Sequence, residues 1–374
     1  MLAFFMFDLK LKVKNSVDVY VSDHSESELY DIQFYKINTR EKIKIRSTLD
    51  VVKLISNLDG EISLLEAAKS MGEFSHEELL ELVGYLVKNG ILTHQEYEIY
   101  EGSRYDRQIA YFDDLLTDRS GLEAQKLLSK KKVLILGAGA VASSIASLLI
   151  RAGIQYLMIV DDRKIRKSDI ARHIYVNGEN IGQYKAASLA EYLSKINSAA
   201  VVKHVTERIY PNTSLEGIIS DDIDIVINTA DEPYIGHLTI KIGRYLWEKD
   251  IALYVSGGFD AHLMSTGELI AKGFTPCCDC CAGTFKQALS NWKPQYRKSD
   301  ESSEKNKKNN NIKNSGSLAQ SLYCAGVGAM NIIDYLLGGV RRNSKLNFRG
   351  EYLINNGTHT WFEMAKQKGC KYCG

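Results

Sequence analysis

Apolar residues fall into three regimes along the chain. In the first, runs from Leu9 to Val13, Val17 to Val21 and Ile32 to Ile37 alternate with polar residues, as half-buried strands do. Apolar residues then recur at helical spacing near 47–57, 61–71 and 75–90, and Asn89-Gly90 marks a stop. Strands followed by three short helices predict a winged-helix-like module over residues 1–95. The second regime, residues 96–130, is polar and charged and reads as a connector containing Arg104-Tyr105-Asp106-Arg107-Gln108. In the third, residues 131–374, apolar runs at 133–136, 156–160, 200–205, 223–228 and 251–256 are mostly separated by helical patterns. That spacing predicts an α/β domain with a doubly wound, mainly parallel, Rossmann-like sheet. Residues 293–317 have almost nothing apolar to bury and predict a mobile loop, a lid or a solvated insertion. A helix rich in small residues is expected from about Leu318 to Leu337.

Net charge changes the picture mainly by exclusion. At +1 the chain has no global field drawing it to nucleic acid or to a membrane surface. No apolar stretch reaches spanning length, and residues 1–7 lack the basic flank of a secretory signal. The expected location is the cytoplasm. The third predicted helix of the N-terminal module carries Glu77, Glu78 and Glu81 against Lys88, which disfavours a DNA-reading role. Capture of a peptide as an added edge strand fits that module better.

The chemistry begins at Val133-Leu-Ile-Leu-Gly137-Ala-Gly139-Ala-Val-Ala142, where a buried strand runs into a glycine turn and a helix. The next apolar run ends on Asp161. Strand, turn, helix, strand and acid in this order form a nucleotide-binding unit, whereas the glycines alone would fit a purely structural turn. Gly137 permits the turn, Gly139 lets phosphates approach the backbone, and Ala142 keeps the helix close to the strand. Asp161 is placed to accept from ribose hydroxyls. Arg172 and Lys185 follow, suited to phosphate oxygens or, more blandly, to solvent. Asp231 and Glu232 lie just past the apolar run 223–228, where an acid would hold Mg²⁺ beside a triphosphate or cap a helix.

Cysteine spacing adds a metal site. Cys277-x-x-Cys280 and Cys370-x-x-Cys373 form two hooks suited to a tetrahedral structural Zn²⁺. Cys278-x-x-Cys281 has the same spacing, but Pro276 favours the first register. Cys324 sits in an apolar small-residue helix and reads as a buried thiol rather than a nucleophile.

As a set, Arg104 to Gln108, Gly137-x-Gly139, Asp161, Arg172, Lys185, Asp231 and the paired cysteines resemble the ThiF/MoeB family of ATP-dependent carboxylate-adenylating enzymes, related to ubiquitin-activating enzymes. The resemblance covers about residues 100–374. It implies that Asp161 holds ribose, Arg172 and Lys185 hold phosphates, and Asp231 holds Mg²⁺. It implies an arginine finger at Arg104 or Arg107, crossing between the copies of a homodimer. Two departures stand out: Arg163 replaces an acid usual two residues after the ribose acid, and Asp169 and His173 replace the amides that usually flank Arg172. The N-terminal module resembles that of enzymes maturing ribosomally made peptide antibiotics, where it grips a leader peptide. A pantocin-type activity is expected, in which ATP activates a glutamate side chain and cyclisation follows. The alternatives are microcin C-type peptide adenylation and adenylation of a sulfur-carrier protein. A non-catalytic peptide scaffold and an NAD-dependent oxidoreductase are further readings. The series Arg172, Lys185 and Asp231 argues against the last.

Overall fold

Alternation along Leu29–Lys36 turns Ile32 and Phe34 to one side, and both are fully buried. The structure, a computed structural model, describes residues 7–23, 28–69, 75–94, 102–210, 212–230, 235–256, 263–288, 316–339 and 347–373. It divides into two units, Met1–Leu127 and Leu128–Gly374.

In the first unit β1 (Leu11–Val13) is followed by β2 (Val17–Asp23), β3 (Leu29–Lys36) and β4 (Lys42–Thr48). The last three form an antiparallel sheet with β3 in the centre. Helices α1 (Leu49–Asn57), α2 (Leu64–Lys69) and α3 (His76–Lys88) come next, then β5 (Leu92–His94), which pairs with β1. Ile32 and Phe34 join Leu54, Leu64, Val83 and Leu86 in one core. Helix α3 starts where expected because Ser75 and Glu78 form a reciprocal capping box. The three expected helices are present. Strand β4 was not expected: its Lys-Ile-Lys-Ile-Arg pattern hides a two-residue period in charge.

The expected connector is largely helical, with α4 (Asp106–Leu115) and α5 (Gly121–Ser129). Ile109 and Phe112 are buried on α4, so its polar composition conceals an apolar stripe. Buried Lys14 donates from Nζ to the carbonyl of Leu116 at 2.6 Å, tying the end of α4 to the loop before β2.

In the second unit β6 (Lys132–Leu136), α6 (Ala140–Arg151), β7 (Tyr156–Val160), α7 (Lys185–Ile196) and β8 (Val201–Val205) wind in one direction. Then β9 (Ile225–Asn228), α8 (Ile235–Glu248) and β10 (Ala252–Val255) wind in the other. After β11 (Leu263–Ser265) comes β12 (Glu268–Ile270), giving the sheet order β12-β10-β9-β6-β7-β8. All neighbours are parallel except β10 and β12. The winding reverses between β6 and β9, which opens a crevice at their carboxyl ends. Helices α9 (Cys278–Ala288) and α10 (Leu318–Leu336) follow among the described residues. Gly328 of α10 leaves room for Tyr254 and Ile145. Strand β13 (Phe348–Leu353) pairs with β11 on one side and with β14 (Thr358–Glu363) on the other in a separate antiparallel sheet. All five expected strand positions of the large sheet are occupied. The expected mobile loop falls almost wholly outside the described residues. Among the described residues, no helix is long and apolar enough to cross a membrane.

Candidate nucleotide and metal sites

Gly137 ends β6 at φ +100°, a conformation L side chains rarely adopt. A Cβ there would collide with Thr229 Oγ1, which donates to the carbonyl of Leu136. The following peptide is held from two sides. Ala138 N–H donates to Asp161 Oδ2 at 2.7 Å, and its carbonyl accepts from Tyr175 Oη at 2.8 Å. Gly139 is the N-cap residue of α6, so the unpaired N–H groups of the first turn face the crevice at the switch point.

Asp161 stands at the end of β7, as its place in the sequence suggests. Both its oxygens already accept backbone N–H bonds, the second from Arg163 at 2.7 Å. Its first role is therefore to hold the glycine turn, and its remaining lone pairs are what a ribose would use. The adjoining cleft has Leu136, Val160, Ile209 and Leu238 as an apolar wall, with Asp162, Arg163, Glu207 and Arg208 at its polar rim.

A buried charge cluster lies beside the turn. Asp169 Oδ2 is 3.0 Å from Lys185 Nζ, and its Oδ1 is 3.3 Å from Arg172 Nη2 and 3.5 Å from His173 Nδ1. Asp169, His173 and Lys185 are all buried. Burial opposes ionisation of Asp169, but the Arg166 amide and the Lys185 ammonium outweigh it and hold the carboxyl below its usual range. Burial, opposed by Asp169, lowers Lys185. Burial and then Lys185 press the His173 imidazole down to about 4. Two cations against one carboxylate leave the cluster with a surplus positive charge next to the phosphate-binding end of α6. Arg172 and Lys185 are thus brought together on one carboxylate, that of Asp169. His173 and Tyr175 were not among the expected site residues. His173 stood out in sequence only as a departure from the flanking amide.

Asp231 and Glu232 lie outside the described residues. Arg104 and Arg107 belong to the first unit. Arg107 is exposed in the first turn of α4, and the Arg104 guanidinium lies 5.7 Å from the centre of the Tyr105 ring.

Sulfur positions distinguish the two cysteine registers. Ligand atoms of Cys277, Cys280, Cys370 and Cys373 all lie within 4.8 Å of one another. Cys277 Sγ is 3.5 Å from that of Cys370, and Cys280 Sγ is 3.4 Å from that of Cys373. The N–H of Gln367 donates to Cys280 Sγ at 3.2 Å, the kind of bond that supports a thiolate ligand. Amides of Tyr372 and Cys373 draw the Cys370 thiol down to about 6. Four sulfurs so arranged fit Zn²⁺. Cys278 and Cys281 are buried outside this group. Cys324 is buried on α10, and burial pushes its thiol up to about 11, the behaviour of a structural rather than a nucleophilic cysteine.

Comparison with known proteins covers both units. The ThiF family matches residues 105–373. Among curated relatives, the adenylyltransferase and sulfurtransferase UBA4 of Candida albicans is 29% identical over 233 residues, 56% of this chain and 49% of that protein. The chain therefore spans about half the length of this relative. Among solved structures, E. coli MccB with ATP superposes with a TM-score of 0.71 at 17% identity, over 97% of this chain and 99% of the other. The same protein with AMPCPP and MccA gives a TM-score of 0.70 at 17% identity, over 97% and 99%. At these identities the likeness concerns the fold.

Proposed function

The chain belongs to the ThiF family, and on that premise we propose that it uses ATP and Mg²⁺ to activate a carboxyl group of a ribosomally made precursor peptide. The observation that carries the nucleotide half of this reading is the glycine turn flanked by the buried Asp169–Lys185 pair and the half-buried Arg172. A carboxylate is a poor electrophile until one oxygen becomes part of a good leaving group. Bringing it to a triphosphate means bringing two anions together, so positive charge and fixed N–H donors supply most of the catalysis. In this reading Asp161 binds ribose while it holds the turn. Arg172 and Lys185 neutralise the phosphates, and Asp231 holds Mg²⁺, which would screen charge on the phosphate chain. Arg104 or Arg107 acts as an arginine finger from a second copy in a homodimer. Zn²⁺ has a structural role at the cysteines.

The peptide half rests on the first unit. Among the described residues no strand pairs with the outer side of β2, and Tyr20 and Val21 on it are exposed, which supports pairing of an extended leader there. A glutamate side chain as the reacting carboxyl, with cyclisation following, is the pantocin-type form of this proposal. Transfer of a nucleotide to the peptide is the microcin C-type form. A second reading, adenylation of a sulfur-carrier protein, is favoured by the likeness to UBA4.

Mass spectrometry of a candidate precursor peptide with the enzyme, Mg²⁺ and ATP separates these forms, with nucleotide products followed alongside. Loss of water matched by ATP cleavage is expected for activation and cyclisation. A mass gain of a nucleotide marks the microcin C-type form. An unchanged peptide with adenylation of a carrier protein ending in Gly-Gly overturns the peptide reading.

A further inference from the structure

The four-cysteine site is reachable from one side. Cys277 and Cys280 are fully buried, whereas Cys370 and Cys373 are half-buried. Cys370 lines a cleft of about 380 Å³, large enough for a small molecule. Lys368 and Lys371 are exposed at this cleft. Arg244 lines it too, but Asp279 balances its charge, Nη2 to Oδ1 2.6 Å. The surplus positive charge of the cleft therefore comes from the two lysines. Four thiolates on one Zn²⁺ leave two negative charges, and without the lysines the cluster would repel an anion.

Each half-buried sulfur has a buried sulfur of the other hook behind it. Cys370 Sγ is 3.5 Å from Cys277 Sγ, and Cys373 Sγ is 3.4 Å from Cys280 Sγ. An accessible thiolate backed by a second sulfur is the arrangement of an attacking and a resolving cysteine.

We propose that Cys370 is a modification site for small anionic disulfides, and that reaction there converts the zinc site into two disulfides, Cys277–Cys370 and Cys280–Cys373. The inference rests on the four cysteines holding Zn²⁺ and is independent of the nucleotide reading. The Cys370 thiolate bonds to one sulfur of the incoming disulfide, whose S–S bond breaks and releases one thiolate. Cys277 Sγ then attacks Cys370 Sγ and expels the second thiolate. Cys373 and Cys280 repeat the sequence with a second disulfide. Four cysteine thiolates thereby give four electrons to two disulfides, the four released thiolates take four protons from solvent, and Zn²⁺ leaves because its ligands are gone. Both new bonds join the α9 region to the C-terminal segment, so the tail stays attached in either state. Reduction with zinc present restores the original site.

The test uses the full chain loaded with zinc and kept free of oxygen. Oxidised glutathione serves as the anionic disulfide and cystamine as its cationic counterpart. A chromophoric chelator reads zinc release, and fragment spectra of tryptic peptides identify the disulfides. Oxidised glutathione is expected to release one zinc per chain, with two equivalents consumed and both cross-segment disulfides formed. Lys368→Glu combined with Lys371→Glu changes only exposed side chains and should keep the zinc. It should slow oxidised glutathione by about fivefold or more at low salt while speeding cystamine. Cys278→Ser should behave as wild type. Zinc retained through saturating oxidised glutathione overturns the proposal, and so do disulfides formed within a hook or through Cys278 or Cys281. Charge reversal that leaves both rates unchanged also overturns it, because the cleft then selects no anion. A chain that binds no zinc at these cysteines removes its premise and leaves the nucleotide reading untouched.

Discussion

Asp169 and Lys185 form a buried ion pair beside the glycine turn, Oδ2 to Nζ 3.0 Å. Lys185 is withdrawn from solvent, so removing its counter-ion leaves an uncompensated charge. Asp169→Ala is expected to lower the unfolding free energy by about 3–5 kcal/mol. Urea unfolding at neutral pH measures it. Asp169→Asn keeps the volume and a side-chain oxygen that can accept the Arg166 backbone N–H, so its loss should be smaller. A wild-type midpoint for Asp169→Ala would show that the pair contributes nothing.

Stability should depend on pH through His173. Its folded-state value of about 4 lies below the ordinary 6.5, so between the two the unfolded chain binds more protons. The contribution is complete above about pH 6.5 and is lost as pH falls towards about 4. Over that window the wild type should lose roughly 3 kcal/mol more than His173→Gln. Denaturant titrations across the range read this difference, and parallel profiles would assign the acid sensitivity to other groups.

The two glycines of the turn should fail differently. Gly137→Ala places a methyl group at φ +100° and against Thr229, so it should destabilise the fold and abolish ATP binding together. Among the described residues, the methyl group of Gly139→Ala meets only His173 Nε2, at 4.0 Å, and the variant is expected to fold normally. Its methyl group intrudes where phosphates approach, so ATP affinity should fall by about tenfold or more. Melting curves and nucleotide titrations on the same samples separate the two. Intact ATP binding in both variants would place the nucleotide elsewhere.

Metal analysis distinguishes the cysteines. One zinc per chain is expected. Cys280→Ser should lower its content sharply and loosen the C-terminal segment, because Gln367 and Cys373 both contact this sulfur. Cys278→Ser should retain zinc, because that sulfur lies outside the cluster. Equal losses in both variants would contradict the register seen here.

Cys324→Ala removes a thiol that is 2% exposed and held well above its reactive range. Peptide activation should continue at near wild-type rates, once a modest cavity cost is allowed for. Complete loss of turnover in a stably folded variant would point to sulfur chemistry at this residue.

What the sequence determined by itself was set by local periodicity. The run 133–136, the glycine turn, the following helix and Asp161 are legible because buried strands, αL glycines and helix starts each leave a short-range mark. Weakly marked elements escaped. Strand β4 alternates Ile with Lys, β13 is mostly half-buried, and β14 is exposed throughout, so none shows a clean apolar alternation. Helix α4 hides its buried Ile109 and Phe112 in a charged stretch. Tertiary structure alone decided which equally spaced cysteine pair met the distant Cys370 and Cys373, because only packing brings Cys277 and Cys280 to them across some ninety residues. It likewise decided that Asp169 faces Lys185 and that His173 faces Gly139. These contacts join residues that no helical or strand period links, and burial turns them from solvated side chains into a charged wall of the nucleotide site.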